Sequence, residues 1–158
     1  MKTYLTLLVL IPLLVIVWFS SKSESLILPI LNPNDIDPNL VDTAAVGIFN
    51  NHQIPKFTFK NQLGDIITQD EFVNKIYIAN FFFTTCPSIC PTLMKYTKLI
   101  HDEFIEDNDI LLISHTVNPE IDSVNVLQSY SELHGINSNK WHLVTGRKQD
   151  IYDISRKG

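Results

Sequence analysis

Three short apolar runs mark predicted strands between residues 76 and 145. They are IYIANFFF at 76–83, DILLISHTV at 109–117 and WHLVT at 141–145. Each run is too short for a helix of its own and is rich in residues that favour β structure, so each predicts a strand. The first run is apolar at nearly every position, which predicts a central strand buried on both faces.

Apolar residues recur every three or four positions after the first two runs, and this period predicts helices. Pro91 suits the first turn of a helix, because the N–H that it lacks would have no partner there. Asp122 or Ser123 can cap the second helix, and Gly135 can end it. A third helix is predicted over 149–156. The expected apolar faces are Leu93, Tyr96 or Thr97, Ile100 and Phe104 in the first helix, and Val126, Leu127, Tyr130 and Leu133 in the second.

A β-hairpin is predicted before the first of these strands. Phe57 and Phe59 precede the sequence KNQLGD, and Ile66 and Ile67 follow it. Asn, Gly and Asp in that sequence supply the chemistry of a tight turn. The order of elements is then hairpin, strand, helix, strand, helix, strand, helix. This alternation predicts an α/β fold with a mostly parallel central sheet flanked by helices.

The N-terminal region has a different pattern, since the sixteen residues 4–19 carry no charge. That length is near the short limit for a membrane-spanning helix and slightly beyond the core of a signal peptide. The run ends in Trp18 and Phe19 rather than in the small residues of a cleavage site, which favours an uncleaved transmembrane anchor over residues 1–22. Residues 23–55 are rich in Asn, Asp and Pro and predict a linker. The folded domain is expected over residues 56–158.

Composition and charge narrow the function further. The chain is 45% apolar and 18% charged, which is typical of a globular protein, and its net charge is −5. It contains no cluster of Lys and Arg, so we expect no nucleic-acid partner. The anchor predicts a single-pass protein of the cell inner membrane, with the lipid bilayer as one partner and the domain on the periplasmic side. Disulfides persist in that compartment.

The two cysteines of the chain, Cys86 and Cys90, lie four positions apart in FFFTTCPSICPTLM. They fall where the first predicted strand turns into the first predicted helix, at the carboxyl edge of the sheet, where open α/β folds bind ligands. The positive end of a helix favours thiolate over thiol. Residues i and i+4 point the same way on a helical turn, so the two sulfurs can converge. Pro87 and Pro91 stiffen the turn.

Three interpretations of this pair are open. It can be a structural disulfide, although a bridge that closes so small a loop constrains the unfolded chain little. It can be the redox pair of a thiol–disulfide oxidoreductase, although the usual spacing of such pairs is C-x-x-C. It can also be a metal site, in which two thiolates suit Cu(I), a soft ion that accepts few ligands.

In its motifs, the chain from Phe57 to Gly146 resembles the Sco/SenC family. The matching segments are FTFKNQLGDIIT, FFFTTCPSICPTLM, TVNPEIDS and WHLVTG, in that order. The resemblance implies a thioredoxin-like fold behind an N-terminal membrane helix. It also implies a copper metallochaperone that delivers copper to the CuA site, with the cytochrome c oxidase subunit carrying that site as partner. The alternative is a thiol–disulfide oxidoreductase that reduces cysteines of the partner.

Residue by residue, the resemblance implies that Cys86 and Cys90 are the copper ligands and the redox-active pair. The family's third copper ligand is a histidine much further along the chain, and we expect it, with the last strands of the fold, beyond Gly158. Two positions differ from the family's pattern: Asn118 stands where an acidic residue is usual, and Ile121 where an arginine is usual. These differences concern the loop that follows the second predicted strand.

Among the five histidines, His115 has the one plausible position for a local third ligand, because it ends a predicted strand near the carboxyl edge. A structural role for a buried histidine is the competing interpretation of His115. The other four are not expected to bind metal. His101 and His134 are predicted to be solvated on helices, His52 to lie in the linker and His142 within a strand.

Overall fold

The computed structural model describes Leu31, Asn32, Asp35, Asp37 and residues 53–158. The predicted anchor over 1–22, His52 and most of the predicted linker over 23–55 lie outside the described residues. Among the residues that are described, no helix is both long enough and apolar enough to cross a membrane.

The elements of residues 53–158 follow the predicted order. A hairpin of β1 and β2 leads through a short 3₁₀ helix into an alternation of strands and helices. The bounds are β1 Thr58–Lys60, β2 Ile66–Thr68, the 3₁₀ helix Gln69–Phe72, β3 Ile76–Phe82, α1 Ile89–Glu103, β4 Ile110–Thr116, α2 Val124–Leu133, β5 Trp141–Val144 and α3 Lys148–Lys157. The prediction of an α/β fold with a parallel sheet is therefore confirmed.

The described strands form two sheets. β3, β4 and β5 are parallel and lie in the order β3-β4-β5, while β1 and β2 form the antiparallel hairpin. The hairpin joins the end of β5 through an antiparallel bridge between Lys60 and Thr145, whose backbone groups exchange hydrogen bonds of 2.9 and 2.8 Å. The parallel strands all end at the same edge, and the loops that could form a site leave from that edge.

Asn61 shapes the hairpin turn, as its turn-forming character predicts. Its side-chain oxygen accepts hydrogen bonds from the backbone N–H groups of Leu63 and Asp65, both at 2.9 Å. Gly64 adopts φ of +87°, a conformation that side chains rarely tolerate. The turn is therefore held by a side chain and completed by a glycine.

The core has two parts, one on each face of the parallel sheet. In β4, Leu111 and Ile113 face one part while Leu112 faces the other. Burial on both faces explains why the four consecutive residues 110–113 are all apolar. The hairpin and α3 pack on the first face, together with Val144 of β5, and α1 and α2 pack on the second, together with Phe82 of β3 and Trp141 and Leu143 of β5.

Within the described residues, β3 does not have the central, doubly buried position that its apolar run predicts. Among the described strands β4 is central and β3 lies at the edge, paired only with β4. Ile76 at its start is 61% exposed, and Phe82 is its one buried residue. An apolar run indicates that both faces of a strand can be covered, but it does not indicate how many neighbours the strand has.

The expected faces of α1 and α2 are correct only in part. Leu127 of α2 is buried, whereas Leu133 is 79% exposed. Tyr96 of α1 is exposed as well, and so is Phe104, which caps the end of this helix. The buried residues of α1 are Cys90, Met94, Thr97 and His101. The prediction left Tyr96 or Thr97 open, and Thr97 is the buried one, whereas Cys90, Met94 and His101 were not expected on this face.

The predicted caps of α2 are confirmed. Ser123 is its N-cap, with a hydroxyl that accepts a hydrogen bond from the backbone N–H of Val126 at 3.4 Å. Gly135 follows the helix with φ of +60°. The prediction left Asp122 or Ser123 open as the cap, and the structure places Asp122 elsewhere, fully buried.

Candidate metal and thiol site

The two cysteines lie at the carboxyl end of β3, where the sequence places them. Cys86 sits in the turn after the strand, and its backbone N–H donates a 3.2 Å hydrogen bond to the carbonyl of Phe83. Cys90 lies in the first turn of α1 and is only 6% exposed, whereas Cys86 is half-buried. Pro91 also falls in this first turn, where its missing N–H leaves no partner unsatisfied.

Cys86 and Cys90 are free thiols in the same core cluster, and the Cys86 sulfur lies 3.9 Å from the hydroxyl oxygen of Ser88. Hydrogen bonding from the side chain of Cys90 is the largest cause that lowers the pKa of Cys86, to about 7. Hydrogen bonds from the backbone of Ser88 and of Cys90 lower the same pKa further. A substantial fraction of Cys86 is therefore thiolate at neutral pH.

Cys90 behaves in the opposite way. Burial is the main cause that raises the pKa of Cys90, and the hydrogen bond that it donates to Cys86 and the charge of that neighbour add to the effect. Cys86 is thus a partly exposed sulfur with a lowered pKa, and Cys90 is a buried thiol with a raised pKa. A soft metal ion that displaces the Cys90 proton would meet two thiolates at once.

Tyr130 of α2 also faces this pair. Burial raises the pKa of Tyr130, and negative charge at Cys90, Asp122 and Cys86 raises it further. The ring packs against Phe82 with centroids 5.7 Å apart. The sequence assigns Tyr130 only to the apolar face of the second helix. Nothing in the local sequence indicates that its hydroxyl lies near the sulfurs.

His115 does not lie near the cysteines. It follows Leu111 and Ile113 on one face of β4, and its ring contacts those of Phe59 and Phe81 at centroid distances of 5.2 and 5.1 Å. Cys90 belongs to the core on the other face of the sheet. His115 therefore cannot supply a third ligand to the pair, and the competing structural interpretation is the one that the fold supports.

The expected environment of His101 is also wrong, since it is buried rather than solvated. Its Nε2 accepts a hydrogen bond from the backbone N–H of Asn137 at 3.1 Å, and its Nδ1 lies 2.7 Å from a carboxylate oxygen of Asp102. This histidine ties α1 to the loop before β5. His134 is exposed, as predicted, and His142 is buried within β5.

The described residues contain no group of three or more His, Cys, Asp or Glu side chains that could hold a metal ion. Within that part of the chain, Cys86 and Cys90 are the donors available to a soft ion at the carboxyl edge. The loop with Asn118 and Ile121 presents no charge at these two positions. Ile121 is 53% exposed, and the backbone carbonyl of Asn118 accepts from the N–H of Asp122 at 2.9 Å.

Comparison with known proteins now decides the family. The model of the protein family described as SCO1/SenC matches residues 46–157. The chain belongs to the SCO1/SenC family. Curated relatives include the SCO1 protein homolog of Bacillus subtilis, which is 28% identical over 100 residues, and a SCO2-like protein of Rickettsia prowazekii, which is 33% identical over 105 residues. These matches cover 63% and 64% of this chain and 52% and 48% of the relatives.

Solved structures of SCO1/SenC proteins share the fold. BsSco, a member of the Sco family of cytochrome c oxidase assembly proteins with a disulfide switch, is 27% identical at a TM-score of 0.61, over 68% of this chain and 64% of that chain. A SCO1/SenC family lipoprotein of Bacillus anthracis is 25% identical at 0.63, over 68% and 66%. Copper-bound ScoI of Arabidopsis thaliana is 27% identical at 0.54, over 66% and 65%. The thioredoxin-like α/β fold of this family is thus confirmed.

This SCO1/SenC chain spans about half the length of the curated relatives that it matches. The family and the fold follow directly from the matches.

Proposed function

We propose that this protein is a copper metallochaperone that binds copper through Cys86 and Cys90. The supporting observation is the sulfur pair itself, with one accessible thiol whose pKa is about 7 and a second thiol hydrogen-bonded to it. Two sulfur donors prefer a soft ion such as Cu(I) over hard cations. A relative that is 27% identical, ScoI of Arabidopsis thaliana, has copper bound in its structure.

The geometry suits delivery as well as binding. Cys86 is half-buried in a turn at the edge of the sheet, so an incoming thiolate can reach a metal held there and replace the ligands one at a time. Cys90 is covered by the core and anchors the pair in the first turn of α1. We propose the CuA-bearing subunit of cytochrome c oxidase as the recipient, in keeping with the description of BsSco as an assembly protein.

The test of copper binding is a competition titration. Reduced protein competes with a chromophoric Cu(I) chelator under nitrogen, and we expect one Cu(I) per chain. Cys86→Ser and Cys90→Ser should each weaken binding at least tenfold, because each leaves one thiolate. The matched control is Ser129→Ala, which removes an exposed hydroxyl of α2 and should retain the stoichiometry. Equal affinity of the unaltered chain and the Cys86→Ser, Cys90→Ser double variant would refute the proposal.

A second function, thiol–disulfide exchange, is favoured by the unequal thiols. Cys86 is the accessible sulfur with the lowered pKa, which is the character of an attacking thiol, and Cys90 is the buried partner that can resolve the intermediate. The Cys86 thiolate would attack a partner disulfide and release one partner thiol. Cys90 would then attack the Cys86 sulfur and release the second, so that the pair becomes oxidised and the partner reduced.

Delivery to a recipient separates the two functions. Copper-loaded protein is mixed with a reduced, metal-free CuA domain, and the transfer of Cu(I) is followed by metal analysis of the separated proteins. In parallel, metal-free protein is mixed with the oxidised CuA domain, and free thiols are counted. Copper transfer with slow disulfide reduction supports the carrier, whereas rapid reduction without transfer supports the reductase.

We further propose that residues 1–22 anchor the protein in the inner membrane, with residues 56–158 on the periplasmic side. The proposal rests on the uncharged run at 4–19. Full-length protein should stay in the membrane fraction after alkaline carbonate washing, whereas a chain that starts at Ser23 should be released. External protease added to spheroplasts should degrade the domain; protection from protease would place it on the cytoplasmic side.

A further inference from the structure

Asp122 is a buried carboxylate that lies beside the cysteine turn. Its side chain is fully buried, between the end of β4 and the start of α2. It accepts hydrogen bonds from the hydroxyl of Thr116 and from both the hydroxyl and the backbone N–H of Thr84, the last at 3.1 Å. Three donors thus satisfy a charged group that burial would otherwise make costly.

These bonds connect the cysteine turn to the sheet. Thr84 precedes Cys86 by two residues, and Thr116 is the last residue of β4. The contacts of Cys86 lie within its own turn: its sulfur is 3.9 Å from the Ser88 hydroxyl, and its backbone N–H donates to the carbonyl of Phe83 at 3.2 Å. Such short-range bonds persist only while the turn keeps its shape. The Asp122 carboxylate is the group that holds Thr84, and through Thr84 the start of this turn, against β4.

Helix capping does not explain why Asp122 is buried. Ser123 performs that task for α2, with its hydroxyl bonded to the N–H of Val126. No cation forms an ion pair with Asp122 in the described part of the chain, so the carboxylate is not half of a buried salt bridge. Its three side-chain bonds all go to the two threonines that flank the site. The main structural partner of this buried carboxylate is therefore the turn that carries the cysteines.

We infer that Asp122 is a positioning residue for the thiol pair: through Thr84 it holds the turn in which the Cys86 sulfur meets the Cys90 thiol and the nearby N–H groups. The inference rests on the proposed use of the two sulfurs. It assigns no contact between Asp122 and copper. Loss of the carboxylate acts on the pair through the turn, and the predicted consequence is a less reactive Cys86 in a chain that is still folded.

The variants form a graded series. Asp122→Asn keeps the size of the side chain but replaces one accepting oxygen with an amide that donates. Thr84→Val removes one hydroxyl and keeps the backbone N–H, while Thr84→Ser restores the hydroxyl. The matched control is Asp150→Asn, which removes a partly buried carboxylate paired with Arg147, far from Asp122 in the sequence.

The readouts are the alkylation rate of Cys86 by iodoacetamide at pH 7 and the reduction potential of the Cys86–Cys90 pair in a glutathione buffer, both without metal. We expect Asp122→Asn to lower the rate about tenfold, since a displaced turn returns Cys86 to the reactivity of an ordinary thiol. Thr84→Val should lower it about threefold, while Thr84→Ser and Asp150→Asn should leave it unchanged. The potential of Asp122→Asn should shift in parallel.

Thermal unfolding is measured for every variant. If Asp122→Asn does not fold, the comparison of Thr84→Val with Thr84→Ser decides. Folded variants in which both the rate and the potential match those of the unaltered chain would overturn the inference. Copper titration of the unaltered chain comes first and is scored separately: a chain that binds no copper refutes the proposed carrier, whereas the two metal-free readouts still decide the role of Asp122.

Discussion

The imidazole of His115 and the thiol of Cys90 lie on opposite faces of the same parallel sheet. His115 packs among aromatic rings under the hairpin, with Phe59 and Phe81 as neighbours. Cys90 packs with Leu112 and Trp141 on the other side. The period of two along β4 determines this separation, because Leu112 and His115 are an odd number of positions apart and so face opposite ways.

Replacing His115 with Phe should leave copper binding unchanged. The Nδ1 atom of His115 has no hydrogen-bond partner among the described residues, and its ring lies in an aromatic cluster that can accept another apolar ring. Removing a buried unsatisfied group should maintain or increase the free energy of unfolding by about 1 kcal/mol. Chelator competition and urea unfolding measure the two quantities. A weaker copper affinity in a stable His115→Phe protein would contradict the placement of His115 away from the site.

The same histidine predicts that stability falls in acid. Burial lowers the pKa of His115 from the ordinary 6.5 to about 4. The unfolded chain therefore binds a proton below about pH 6.5 that the folded chain does not bind until about pH 4. The stability is fully present above pH 6.5 and is lost as the pH falls from there toward 4, by at most about 3 kcal/mol.

His142 should add to this loss, because burial lowers its pKa too, against an opposing effect of Glu71 and Asp65. Urea unfolding at pH 7.5, 6.0 and 5.0 measures the loss. The control is His115→Phe, in which the dependence on pH should be shallower but not absent. A variant with the same slope as the unaltered chain would show that His115 is not the source.

Elements whose geometry is determined by residues within them could be predicted from the sequence. The hairpin turn is determined by Asn61 and Gly64, and the start of α2 by Ser123, and each of these residues performs the expected task. The position of Cys86 and Cys90 also follows from local order alone, because a strand that ends and a helix that begins must place the turn between them at the sheet edge.

Features that depend on which elements become neighbours could not be predicted. The apolar run of β3 does not indicate that the strand lies at the edge of the described sheet. The polar character of His101 wrongly predicts that it is solvated, whereas it faces the core. Asp122 looked like a cap because it precedes a helix. Its burial follows from the approach of Thr84, which is 38 residues away in the chain, and no local pattern reports such an approach.

The two thiols should react at different rates at neutral pH. Cys86 should react with iodoacetamide along a titration curve with its midpoint near pH 7, whereas Cys90 should react slowly up to alkaline pH because burial raises its pKa. Mass spectrometry of peptides from timed reactions distinguishes the two sites. In Cys90→Ala, Cys86 loses its main hydrogen-bond donor, so its midpoint should move upward. A midpoint that stays near pH 7 in this variant would show that the backbone donors suffice.

Gln62 provides the last prediction, which concerns the contact between the hairpin and β5. This side chain is fully buried, donates to the carbonyl of Trp141 at 2.9 Å and accepts from the N–H of Leu143 at 2.8 Å. It thereby pairs with two backbone groups of β5, as a neighbouring strand would. Gln62→Ala leaves both groups buried without partners, and each such loss costs about 1–3 kcal/mol.

We therefore expect Gln62→Ala to lower the free energy of unfolding by about 3 kcal/mol. Gln128→Ala, which truncates an exposed glutamine of α2, is the matched control and should change stability by less than about 0.5 kcal/mol. Hydrogen exchange gives the spatial test: the amide of Leu143 should lose protection in Gln62→Ala, while that of Leu112 in the central strand should lose less. Equal loss at both amides would mean that the whole sheet, rather than this contact, depends on Gln62.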